Sequence, residues 1–251
     1  MGAGLSQSMS PSLISLQEPA RAMADLFQAE DLGSLPFFSG LDQADLDRLL
    51  DRHRVVEVPA GQTVVMEADW GETLMVVLSG LAKVRSFNAD GDEALLSLIG
   101  AGDLLGEISV LDGEPRSADV VSLTAVRLLK VHGRPFQAML QSEVKLALQL
   151  ARLEASRLRD LNRRFALQRS DATTKVLDAL AYLARKSSAA DDPLTLIPDL
   201  PQGEIAIIAG LARETSSRTM SKLRTRGIVI EDHGCLRLAS LDPLRKRGLI
   251  A

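Results

Sequence analysis

The sequence predicts an α+β chain: a β-sandwich or barrel, joined by a long helix to a small helical domain that carries a hairpin. Three observations predict it. Between residues 55 and 131, short β-rich runs recur at roughly 8–12-residue spacing with glycine turns between them. From Phe136 to Pro193 the chain contains no internal Gly or Pro, which favours helix over an unusual length. After Pro201, two short helical patterns are followed by a compact hairpin pattern.

The first ~33 residues are rich in Ser, Ala and Met with weak periodicity, and predict a loosely ordered leader ending in a short helix. Met1-Gly2-Ala3-Gly4-Leu5-Ser6 fits an N-myristoylation pattern, a short signal that coincidence also produces. Strands are expected over 55–58, 62–66, 74–78, 82–86, 94–99, 118–123 and 125–131, punctuated by Gly61, Gly71, Gly80, Asp90-Gly91-Asp92, Gly100-Ala101-Gly102 and Asp112-Gly113. In the next segment Leu146, Leu150 and Leu153 keep the spacing of a coiled-coil seam, continued with a shift by Leu158, Leu161 and Phe165. This predicts a helix of about 25–30 residues whose leucine stripe packs against a second copy, against the chain's own β-roll, or against both on different faces. Ser170-Asp171 is an N-cap pattern for a second helix running to about Arg185. Loops are expected at Asp191-Asp192-Pro193 and Pro198-Asp199-Leu200-Pro201, then helices over 203–210 and 213–226. A hairpin turning at Asp232-His233-Gly234 follows.

With 251 residues, 46% of them hydrophobic, the chain is long enough for one or two packed domains. No run approaches the ~18 apolar residues of a membrane span. One cysteine, Cys235, excludes an intrachain disulfide framework and an all-cysteine metal or iron–sulfur site in one chain. A reducing cytoplasm is the expected compartment. The net charge of −4 is unevenly spread. Residues 1–144 carry 10 Lys+Arg against 21 Asp+Glu, residues 145–200 carry 10 against 7, and residues 201–251 carry 9 against 5. An acidic front and a basic tail suit a sensor joined to a module that meets a polyanion; scattered solvated charge gives the same totals.

The most informative stretch is Gly106-Glu107-Ile108-Ser109-Val110-Leu111-Asp112-Gly113-Glu114-Pro115-Arg116-Ser117-Ala118. It combines a short helical turn, a glycine loop, a guanidinium, a hydroxyl and nearby backbone amides, the donors a phosphate group needs. Glu107 adds an acceptor suited to a ribose hydroxyl. A surface turn with a salt bridge is the alternative. In the basic tail, residues 204–218 have helix-turn-helix spacing: Ala206 permits close helix approach and Gly210 supplies the turn. Arg213, Glu214, Ser217 and Arg218 then share one face near the start of the second helix, where Arg suits guanine O6/N7 and Glu suits the cytosine amino group. Thr215, Lys222 and Arg224 are placed to meet phosphates. Ser216 and Thr219 are polar where that helix should be buried.

The run G-E-I-S-x-L-…-P-R-S-A resembles the phosphate-binding cassette of cyclic-nucleotide-binding domains. Leu35-Pro36-Phe37-Phe38 and Pro59-Ala60-Gly61-Gln62 match the start of that domain. With the long helix and the R-E-T-x-x-R motif, the chain from about residue 34 resembles the Crp/Fnr superfamily of bacterial transcription regulators. The resemblance makes the sandwich or barrel an antiparallel, jelly-roll-like, cyclic-nucleotide-binding β-roll over 34–134, and implies a dimerisation helix over 135–169 and a winged helix-turn-helix domain over 170–251. It implies that Arg116 and Ser117 hold the cyclic phosphate of cAMP or cGMP, with backbone amides from Gly106 and Ala118. Glu107 takes the ribose 2′-hydroxyl, beside Ile108 and Ser109. It further implies a homodimer, double-stranded DNA with palindromic TGTGA-like sites read by Arg213, Glu214 and Arg218, and RNA polymerase as a partner. The nucleotide is an allosteric ligand, and no cofactor is expected.

One departure concerns the base. Where cAMP-responsive members carry a Thr-Ser pair on the dimer helix, an ungapped count back from Asp171 places Asp160-Leu161. An aspartate, an acceptor only, can take two parallel bonds from guanine, so cGMP becomes a competitor; pairing of Asp160 with an arginine of the partner helix is the alternative. Other functions fit less well. A haem sensor would need an axial ligand, for which only His53 and His132 are near the β-roll. An enzyme would need a nucleophile–base pair or metal cluster that no motif supplies. A regulatory subunit without DNA binding leaves residues 203–240 unexplained.

Overall fold

A computed structural model describes residues 27–188 and 190–250. The Met1–Ser6 pattern and most of the expected leader lie outside the described residues.

Among the described residues two short helices come first, α1 (Ala29–Ser34) and α2 (Gln43–Leu50). The second is started by Asp42, whose carboxylate accepts from the Asp45 amide at 2.8 Å. The β-roll then runs through β1 (Arg54–Val58), β2 (Thr63–Val65), β3 (Thr73–Ser79), β4 (Ala82–Phe87), β5 (Glu93–Ile99), β6 (Leu104–Leu105), α3 (Glu107–Asp112), β7 (Asp119–Ser122) and β8 (Val126–His132). All pairings are antiparallel, in two four-stranded sheets of order β1-β8-β3-β6 and β2-β7-β4-β5. Each strand read from the sequence is found to within one residue; β6, two residues long, was not read.

Period-two alternation sorts side chains between cores. On β3, Met75 and Val77 point between the sheets, where they meet Ala82, Ile99, Leu105, Val120, Val126 and Leu128. Leu74 and Val76 point the other way, under a helical layer that contributes Leu32, Leu46, Leu49, Phe136, Met139, Leu146 and Leu150.

After the roll come α4 (Gly133–Ser142) and α5 (Val144–Ala166), extended by a 3-10 turn at Leu167–Arg169. Helix α5 with its extension supplies the expected helix of about 25–30 residues, but the range expected from residue 135 is broken, because α4 is a separate helix. At Glu143 the backbone is extended (φ −103°, ψ 91°), and its N–H closes α4 on Met139 O. The break lets Phe136 and Met139 of α4, and Leu146 and Leu150 of α5, all bury against the same sheet face. The predicted leucine stripe also divides. Leu146 and Leu150 are buried and Leu153 packs against them, whereas Leu158, Leu161 and Phe165 are exposed.

The C-terminal part consists of α6 (Ala172–Ser187), α7 (Gln202–Ala209), α8 (Arg213–Thr225), β9 (Val229–Asp232), β10 (Cys235–Leu238) and α9 (Asp242–Arg245). The β9–β10 turn needs positive φ at both central residues, His233 (51°) and Gly234 (78°), the requirement of a two-residue I′ hairpin. Ile197 bridges to Leu236 and adds a third short pairing. The core of this part does not stand alone: Leu81, Leu98 and Leu123 of the roll pack into it with Leu180, Leu183, Ile205, Ile208, Met220 and Leu223.

Helix α6 starts as the sequence suggests. The Asp171 carboxylate accepts from the amides of Thr173 (2.9 Å) and Thr174 (3.0 Å) and from the Thr174 hydroxyl (2.7 Å). The bonds from Thr174 hold this carboxyl below its ordinary value. Asp171→Ala is expected to cost about 1 kcal/mol in urea unfolding. Because the folded value is depressed, the contribution is full above the unfolded-state value. It is lost as pH falls through the folded one, so the gap between wild type and variant should narrow in acid.

Candidate ligand cavity and nucleic-acid interface

A cavity of about 300 Å³ lies inside the roll beside α5. Sheet residues Val65, Val84, Leu96, Ile99, Leu104, Leu105 and Val120 make an apolar wall, interrupted by Ser97. The cassette lines one end: Gly106, Glu107, Ile108, Ser109, Arg116, Ser117 and Ala118 all face the cavity. Helix α5 closes the other side with Glu154, Arg157, Leu158 and Leu161, a stripe at helical spacing.

Arg116 is buried and fixed. Its Nη1 donates to Gly106 O at 2.9 Å, and Nη2 donates to Thr73 O at 2.7 Å and to Thr73 Oγ1 at 3.3 Å. None of these bonds uses Nε. Burial pulls this guanidinium below the ordinary arginine value, opposed by the charge of Glu107. Gly106 has a left-handed backbone (φ 84°), and a Cβ there would lie 2.2 Å from Arg116 Nη1 and 2.7 Å from Thr73 O. The glycine thus satisfies both the turn and the close passage of the arginine.

Glu107, also buried, is bound through Oε1 by Arg157 of α5, which in addition donates to Leu104 O. The same Arg157 Nη1 reaches Glu154 Oε1 at 3.0 Å. Burial lowers the basicity of Arg157, but Glu107, Glu154 and Asp103 together outweigh it and leave the guanidinium raised. Burial pushes the Glu154 carboxyl up, against the pull of Arg157 and with the push of Glu107. Glu107 Oε2 has no hydrogen-bond partner. A buried carboxylate oxygen without a partner, on a residue that lines a cavity, is an acceptor still to be satisfied, and a ligand hydroxyl can supply the donor. Two guanidiniums, one open acceptor and an apolar wall suit a small molecule that has an anionic group, a hydroxyl and a flat apolar part.

Asp160 is not among the lining residues. It falls beside the cavity-facing stripe, and its carboxylate lies 3.9 Å from Arg163 of its own helix. The expectation that it faces the base is therefore not met within one chain. The count from Asp171 measures distance along the chain, whereas the cavity face is set by the rotation that brings Arg157 onto Glu107. Arg157 and Glu154 were not singled out in the sequence as site residues; their spacing with Leu158 and Leu161 was the available signal. His53 and His132 do not line the cavity.

On α5 a second, unburied stripe runs beside the first and shares Leu158 with it. Val144, Leu148, Ala151, Ala155, Leu158, Asn162 and Phe165 alternate spacings of four and three and are all exposed, Val144 by 72% and Phe165 by 71%. This is the spacing of a coiled-coil seam.

In the C-terminal part, α7 ends at Gly210 in the left-handed region (φ 60°), and α8 begins three residues later. Arg213, Glu214, Thr215, Ser217, Arg218, Lys222 and Arg224 are all exposed along α8. Glu214 and Arg218 face each other at 3.3 Å across one turn. Ser216 and Thr219 lie on the buried side with Met220 and Leu223. The Thr219 hydroxyl donates to Thr215 O at 2.8 Å, whereas Ser216 Oγ has no partner.

The comparisons with known proteins agree with this division. The family described as cyclic nucleotide-binding domain matches residues 55–143, and that described as Crp-like helix-turn-helix domain matches residues 174–247. The chain is 31% identical over 195 residues to the cyclic AMP receptor protein of Thermus thermophilus, covering 77% of this chain and 88% of that protein. It is 28% identical over 221 residues to a CRP-like cAMP-activated global transcriptional regulator of Mycobacterium tuberculosis, covering 87% and 99%. The structure of FixK2 from Bradyrhizobium japonicum shares the fold, with a TM-score of 0.66 at 20% identity over 79% of this chain and 98% of that one. The chain belongs to the Crp/Fnr superfamily of transcription regulators, which join a cyclic-nucleotide-binding domain to a helix-turn-helix.

Arg157→Leu leaves Glu107 buried without its cation and is expected to cost about 3–5 kcal/mol in urea unfolding. Adding Glu107→Gln should recover roughly half of that loss or more, a coupling that a double-mutant cycle reads directly.

Proposed function

We propose that the protein is a dimeric regulator whose DNA binding responds to a cyclic nucleotide, with cAMP as the ligand. The observation that carries this is the cassette end of the cavity, where Arg116 and Ser117 lie with Glu107, whose Oε1 is bound by Arg157 while its Oε2 has no partner. The cyclic phosphate takes Arg116 Nε, the Ser117 hydroxyl and backbone amides, and the ribose hydroxyl donates to Glu107. The purine lies against Val84, Leu96, Leu158 and Leu161. The named activity of the relatives supports cAMP, and so does the position of Asp160 outside the lining within one chain.

A second copy packs along the Val144–Phe165 seam, burying apolar side chains that one chain leaves in water. The dimer then presents two α8 faces about one helical turn of DNA apart, which suits a palindromic TGTGA-like site. Arg213, Glu214 and Arg218 read base edges; Thr215, Lys222 and Arg224 meet phosphates, and Ser217 lies among the readers. RNA polymerase is the further partner of such a regulator.

Calorimetric titration with cAMP and with cGMP tests the ligand. Binding of cAMP at least about tenfold tighter, an energy gap of about 1.4 kcal/mol, is expected; equal or tighter cGMP binding overturns the assignment. Arg218→Ala should lose about 1–3 kcal/mol of DNA affinity at one base pair only. Titrating duplexes substituted at single positions reads this out, and a uniform loss across sequences would instead make Arg218 a phosphate contact.

A further inference from the structure

Strand β5 is touched by both the cavity and the helix-turn-helix part. Its residues Leu96, Ser97 and Ile99 line the cavity. It is also the edge strand of its sheet, and its register with β4 is broken: Val84 pairs with Ser97 and Arg85 with Leu95, which leaves Leu96 as an extra residue. An edge buried under other elements must still satisfy its backbone groups. Here side chains do so. Arg164, at the end of α5, donates to Leu95 O (2.9 Å) and to Leu96 O. Tyr182 of α6 accepts from the Leu98 amide at 3.0 Å, and its hydroxyl lies 3.3 Å from Ser97 Oγ. The Arg164 guanidinium rests 5.5 Å from the centre of the Tyr182 ring, so the two side chains brace each other. Close by, the buried ammonium of Lys83 on β4 joins Glu93 of β5 (2.7 Å) to Glu204 of α7 (2.6 Å).

We propose that Arg164 and Tyr182 form a clamp on the β5 bulge, through which occupancy of the cavity sets the position of the helix-turn-helix part. The inference rests on the nucleotide reading given above and names the route of its regulation. A bulge is the place where a strand bends most readily. A ligand filling the space beside Leu96 and Ser97 displaces that bend, and the displacement is passed to α5 through Arg164 and to α6 through Tyr182. Neither side chain lines the cavity, so both act as positioning residues.

The test uses the full chain, unsubstituted and as Tyr182→Phe and Arg164→Gln, with three readouts: hydrogen exchange of backbone 94–99 without nucleotide, calorimetric cAMP affinity, and the ratio of DNA affinities with and without cAMP. Tyr182→Phe removes one hydroxyl and no packing volume. It should speed exchange at the Leu98 amide by about tenfold. Both variants should keep cAMP affinity within about threefold while cutting the DNA-affinity ratio by about fivefold or more. A full ratio with faster exchange makes the contact structural only and overturns the proposal, as does unchanged exchange with an unchanged ratio. If the unsubstituted chain binds no cyclic nucleotide, the calorimeter shows that the nucleotide reading has failed. The cavity end of the clamp then fails with it, and exchange over 94–99 judges separately whether the side chains hold the strand.

Discussion

Arg157 is the side chain around which the site is organised. It stands on α5, yet its partners Glu107 and Leu104 O belong to the cassette and the strand before it. A carboxylate as buried as Glu107 is costly unless a cation meets it. The rotation of α5 about its own axis is therefore tied to the cassette. Once that rotation is set, Leu158 and Leu161 must face the cavity, Asp160 must fall to the side, and the seam from Val144 to Phe165 must face outward. Removing the pair would release the constraint that makes one helix serve three surfaces.

The second consequence concerns how far a signal has to travel. The last turn of α5 carries Arg163 and Arg164. The first pairs with the buried Asp178 of α6, whose carboxyl burial pushes up against the pull of that arginine; the second grips the carbonyls of β5. Cavity wall, exposed apolar seam and helix-turn-helix part thus meet within a few residues. Coupling between a ligand and DNA then requires only a bistable change at that junction, with a difference in contacts between the two states.

Much of the fold was legible because its determinants are local. Glycine turns delimit the strands, Asp171 caps α6, His233-Gly234 closes the hairpin, and the cassette and the R-E-T-x-x-R helix start lie in unbroken runs. What was not legible is set by packing between distant segments. No Gly or Pro announces the break at Glu143; it exists because α4 and α5 both bury their apolar faces on one sheet. The leucine stripe could not be divided between the roll and the solvent without knowing which face the roll takes. Arg157 looks like any other arginine of a long polar helix until Glu107, fifty residues earlier, is placed beside it. Counting from Asp171 gave the pair Asp160-Leu161, of which Leu161 lines the cavity and Asp160 does not, for the same reason. The bulge at Leu96 and the role of Tyr182 depend on an edge strand meeting a helix more than eighty residues away.

The central claim is that a nucleotide held by Glu107 and Arg116 and a DNA site held by Arg213, Glu214 and Arg218 are linked in one free energy. The direct measurement is the linkage itself: affinity for a palindromic duplex with and without saturating cAMP, and affinity for cAMP with and without that duplex, at one fixed salt concentration. The account predicts that each ligand tightens the other by the same factor, about tenfold or more. Equal DNA affinity in the presence and absence of the nucleotide would contradict it.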